Sequence, residues 1–137
     1  MFVIKGDTYR IECNEQDIEH YYHKYNNCDR YGLCIYVLEK LYAHNLIESA
    51  LKSLCEQDSV GTDFGSINLP SLFDKLEEGD EDFYFESGVE FVYDEAIHIV
   101  SNTEFISLVE QMISIHKHEP QSEKCAEYLP RLKELYK

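Results

Sequence analysis

Two histidine pairs, an acidic run and five scattered cysteines are the residues here whose types and spacing could do chemistry. His20 and His23 lie three apart with Cys28 following, so a helix through them brings both imidazoles to one side. A zinc site wants a third or fourth ligand at recognisable spacing, and this set departs from HExxH, so structural or surface roles are expected. His116 and His118 receive the same reading, at a predicted helix end where the dipole favours a cationic ring. Asp80-Glu81-Asp82 opens like an EF-hand loop, but Tyr84 and Phe85 stand at its fifth and sixth positions, where the sharp turn requires a glycine. Gly61-Thr62-Asp63-Phe64-Gly65-Ser66 has glycines but no following lysine, and GxxxxGK[ST], GxGxxG and GxSxG are all absent. No metal, no cofactor and no catalytic residue is therefore expected. A small enzyme with a spatially assembled Cys/His site stays as an alternative, with Cys28, Cys34 or His98 in a deep pocket, because such partners need only meet in space.

Charge is more informative. The 137 residues hold 27 acids against 12 Lys and Arg, a net −15 with neutral histidines. A surface so acidic repels phosphates, so nucleic acid is not an expected partner. From residue 76 to residue 116 there is no Lys or Arg, while eleven acids fall in that interval. Solubility alone tolerates scattered lysines, so this gap reads as an acidic surface facing a basic protein. Glu77, Glu78, Asp80, Glu81 and Asp82 lead into an aromatic segment, and tight interfaces combine aromatic anchors with surrounding charge. With Phe83 and Phe85 turned to the core, Tyr84 and Glu86 are the exposed candidates.

The chain that must position these residues is globular: 44% of it is apolar and 13% aromatic, too much for a disordered acidic segment. The apolar run Leu33 to Leu38 is six residues long, against the roughly 20 a bilayer span requires, so no membrane partner is expected. The start, MFVIKGDTYR, does not read as a secretory signal. Cysteines 13, 28, 34, 55 and 125 are odd in number and form no CxxC, which points to reduced thiols, several in the core, and a cytoplasmic location.

Phe2-Val3-Ile4 reads as a short strand and residues 14–26 as a helix. Residues 31–44 are apolar nearly all round, the mark of a central helix packed on several sides. A second helix is predicted near residues 46–57, with Ile47, Ala50, Leu51 and Leu54 on one face. Residues 58–70, with two glycines and a closing proline, read as a loop, and residues 71–76 as a helical turn. Three strands follow at 82–86, 89–93 and 96–100, joined by links too short for parallel pairing. Val89, Phe91 and Tyr93 share one side of the second. Ser101 with Glu104 is a capping box opening a helix to about His118. A last helix from about Pro120 carries Pro130 inside its apolar stripe, predicting a kink or a split. The expected fold class is α+β, a small antiparallel sheet of three to four strands packed against about four to five helices in a single domain.

The second half also resembles a known family. Gly88-Val89-Glu90-Phe91, then Tyr93-Asp94-Glu95, Ile99-Val100-Ser101 and Glu104-Phe105 are similar to small immunity proteins of contact-dependent growth inhibition systems, of the kind that neutralises a ribonuclease toxin domain. The resemblance spans roughly residues 76–136 and rests on a strand–turn–strand–helix order and a few residue types. It implies a noncatalytic bacterial, cytoplasmic protein that binds and inhibits a cognate toxin C-terminal domain, expected to be basic. Glu90, Asp94 and Glu95 match the resembled segment and join the toxin-binding candidates. The other alternative is an acidic protein-binding adaptor or assembly subunit.

Overall fold

The computed structural model describes residues 2–3, 10–11, 30–70, 85, 87–93 and 96–137. They form an α+β fold in which four helices accompany a four-stranded antiparallel sheet.

Helix α1 (Arg30–Ala43) is the centre. Leu33, Cys34, Ile35, Tyr36, Val37, Leu38, Leu41 and Tyr42 are all buried, as an apolar run with no polar side must be. It ends where Asn45 adopts a left-handed φ of 60°, which asparagine tolerates better than most residues. Backbone bonds from Asn45 N to Tyr42 O and from Leu46 N to Leu41 O complete the helix-closing motif that such a residue permits. Helix α2 (Ile47–Cys55) then buries Ile47, Ala50, Leu51 and Leu54, the predicted stripe, and packs against α1.

The expected loop at 58–70 is instead a hairpin, β3 (Val60–Thr62) and β4 (Gly65–Asn68). The turn is held by Thr62, whose hydroxyl accepts from Phe64 N (3.1 Å) and donates to Gly65 O (2.8 Å). Strands of three and four residues leave almost no alternation to read, and the glycines that suggested a loop serve the hairpin. Gly65 has φ +126°, and a Cβ there would stand 2.7 Å from Val37 Cγ2 of α1. The missing side chain is what lets the hairpin lie on the central helix. Gly65→Ala is expected to destabilise the fold by about 2 kcal/mol or more, combining positive-φ strain with overpacking. A urea midpoint unchanged from the parent would refute this close approach.

Strands β5 (Val89–Tyr93) and β6 (Ala96–Val100) match their predicted bounds. The sheet order is β3-β4-β5-β6, with Ile67 opposite Phe91 and Phe91 opposite His98. Of the strand expected at 82–86, only Phe85 is described; it is buried and belongs to no strand. The helix expected at 14–26 and the turn at 71–76 lie outside the described residues. A separate two-stranded pairing joins β1 (Phe2–Val3) to β2 (Arg10–Ile11).

Ser101 and Glu104 form the predicted capping box at the start of helix α3 (Asn102–Ile115), with reciprocal bonds of 3.1 and 2.8 Å. Helix α4 (Pro120–Leu135) runs through Pro130 as one helix rather than two. Pro130 and Ala126, whose carbonyl loses its partner to the proline, are both exposed, so water can take the freed acceptor. An aromatic chain joins the layers: Phe91 of β5 meets Phe105 of α3 at 6.3 Å, and Phe105 meets the edge of Tyr136 at 5.4 Å. The Tyr136 hydroxyl donates to Leu54 O of α2 at 2.7 Å.

Candidate functional site

Two places combine polar chemistry with unusual geometry: a buried carboxylate–imidazole cluster and the outer face of the sheet.

The cluster starts from Glu39, an acid inside the apolar helix α1 and only 3% exposed. His116, just past the end of α3, brings Nε2 to 2.6 Å from Glu39 Oε2 and Nδ1 to 3.0 Å from Glu119 Oε2. A ring with a carboxylate at each nitrogen is satisfied only as the doubly protonated imidazolium, which donates both ways. Burial of the ring is the largest single influence and opposes the charge, but the hydrogen bonds and charges of Glu39 and Glu119 outweigh it, and the pKa is raised above 6.5. The ring stacks on Tyr42 at 3.8 Å. Burial raises the pKa of the Tyr42 hydroxyl and the Glu119 charge adds to the rise, yet like Glu39 Oε1 it is buried without a hydrogen bond of good geometry. With both nitrogens committed and a carboxylate on each side, His116 is arranged as a clasp between α1 and the α3–α4 corner. Sequence reading placed His116 at a helix end and missed its partner; the signal available was a lone glutamate within an apolar run.

Among the described thiols, Cys34 and Cys125 are buried and Cys55 is half-buried. Burial pushes Cys125 up to about 11, and it also raises Cys55. Thiols with raised pKa hold little thiolate at neutral pH. Cys34 sits wholly inside α1, His98 is half-buried on β6, and Cys13 and Cys28 lie outside the described residues. Among the described residues, no group of three or more His, Cys, Asp or Glu is placed to hold a metal ion. No helix among them is long and apolar enough to cross a membrane.

The sheet has one covered face. Val60, Ile67, Val89, Phe91 and Val100 are buried, α1 packs on β5 and β6, and Tyr93 meets Tyr36 of α1 at 4.7 Å. The opposite face follows from the registers: one row runs Ser66, Val92, Ile97 and the next Asn68, Glu90, Ile99. Ile97 is 50% exposed and Ile99 38%, the large hydrophobics most open to solvent among the described residues. Between them and β4, Glu90 is fixed by Asn68, whose Nδ2 donates to Oε1 at 2.8 Å. A shallow depression of about 390 Å³ adjoins this face, lined by Thr62, Asp63, Gly65, Ser66, Val92 and Tyr93.

Of the acidic candidates, Glu90 is the one described, and it lies on this face. Glu77, Glu78, Asp80, Glu81, Asp82, Tyr84, Glu86, Asp94 and Glu95 lie outside the described residues. Sequence reasoning missed Ile97 and Ile99, although a strand apolar at both alternating sets of positions already signals a second apolar face. Comparison with protein-family models, with curated proteins and with solved structures finds no match to this chain.

Proposed function

We propose that this protein is an inhibitor that binds a basic protein, and specifically an immunity protein that neutralises a cognate nuclease toxin domain. The observation that carries the reading is the 41-residue interval from 76 to 116 with eleven acids and no Lys or Arg, which includes β5, β6 and α3. An acidic surface speeds encounter with a cationic partner and orients it. A ribonuclease toxin must bind RNA phosphates, so its active face is the natural target for carboxylates. The similarity of residues 76–136 to immunity proteins adds the toxin to what charge alone supports, a basic partner.

The test is titration calorimetry against the C-terminal domain of the protein encoded immediately upstream, at about 50 and about 300 mM salt. Tight one-to-one binding that weakens with salt is the expected result, together with loss of the domain's nuclease activity in the complex. Absence of binding would remove the immunity reading for that pairing and bring the acidic adaptor forward.

A further inference from the structure

We propose that the outer face of β4–β6 is the docking surface, with Ile97 and Ile99 as its apolar centre, and that its occupant is a basic protein surface presenting an apolar side chain flanked by Lys or Arg. This inference deepens the function proposed above and rests on it.

Three observations select the face. Ile97 and Ile99 are exposed on neighbouring rows, and apolar area at the centre of a patch with a polar rim is the anatomy of a protein interface. Glu90 stands beside Ile99 in the second row with its carboxylate already oriented by Asn68, so a partner's cation meets a fixed acceptor rather than a mobile one. Asp63 lines the depression beside Ser66 and Val92, a second acidic position within reach of a long basic side chain.

Charge selects the occupant. Strands β3 to β6 contain no Lys or Arg, whereas residues 117–137 hold five bases against four acids. Helix α4, which carries most of those bases, packs on α2 and α3, while the sheet strands carry Glu90 and no base. A second copy would bring one −15 protein against another, acid facing acid, which opposes self-association. An anionic lipid surface is repelled in the same way. A cationic protein surface is favoured by every one of these charges.

The experiment measures binding of the upstream-encoded C-terminal domain to the parent protein, to Ile97→Ser/Ile99→Ser, to Glu90→Gln, and to Glu127→Ser on the exposed side of α4 as the control. The double isoleucine variant is expected to weaken binding by about tenfold or more, mainly through faster dissociation. Glu90→Gln should slow association, with the difference shrinking as salt rises, and Glu127→Ser should change nothing. Hydrogen exchange on the parent complex should show new protection in β4 to β6, a readout that does not depend on any variant folding. Parent binding that the isoleucine variant leaves within about twofold, or protection confined to α4, overturns this face while leaving the inhibitor function standing. A parent that does not bind overturns that function and this occupant with it.

Discussion

Replacing Phe105 with alanine is expected to remove about 3–5 kcal/mol of stability, the range for deleting a fully buried phenylalanine. The ring is 0% exposed and touches both Phe91 of the sheet and Tyr136 after α4, so the cavity would open where three elements meet. Single domains hold about 5–15 kcal/mol in total, so this one change removes a large share. Urea denaturation followed by far-ultraviolet circular dichroism reads it directly. Tyr136→Phe is the companion variant: it keeps the ring contact and loses only the bond to Leu54 O, an effect of about 1 kcal/mol. If Phe105→Ala moved stability by no more than Tyr136→Phe, the aromatic junction would not hold the sheet to the helices. The docking face is built on the back of the same strand that Phe105 supports, so the variant should also weaken partner binding near its unfolding midpoint.

The second large effect is at the clasp. His116→Ala leaves the Glu39 carboxylate, 3% exposed, without its cation, and is expected to cost about 3 kcal/mol at pH 6, as breaking a buried pair does. The groups facing the ring are Glu39 and Tyr42 from α1 and Glu119 from the α3–α4 link. Because the folded pKa of His116 is raised above 6.5, the folded state binds this proton more tightly than the unfolded chain. The resulting stabilisation is complete below about pH 6.5 and is lost as pH climbs through the raised folded value. The stability difference between parent and His116→Gln should therefore be widest in mild acid and narrow towards about pH 9. A difference constant across that range would mean the ring is neutral in the fold. Glu39→Gln should bring the His116 titration, followed by NMR, back down.

Much of this architecture was legible because its signals are local. A fourteen-residue helix apolar nearly all round has to be central, whatever surrounds it. Ser101 and Glu104 specify a helix start through bonds made within four residues. The β5–β6 bounds followed from residue types and a two-residue link. Where the reading failed, the signal was too short or was decided elsewhere. The hairpin at 60–68 offered only a few residues of alternation, and its Gly65 makes sense only against Val37, a helix away. Pro130 breaks helices in general, but in α4 it falls on the exposed side.

What the sequence by itself determined is the α+β class, the central helix, the capped α3 and the uneven charge, all of which depend on composition and near neighbours. Only the tertiary structure decided that Glu39 meets His116 across 77 positions, because nothing local links an acid in one helix to a ring beyond another. It also decided which side of the sheet is open. Alternation sorts β5 into a Val89–Phe91–Tyr93 side and a Glu90–Val92 side but does not say which side is covered. Helix α1 packs on the phenylalanine side, burying it with Phe105 at its back, and that choice turns Ile97, Ile99 and Glu90 outward.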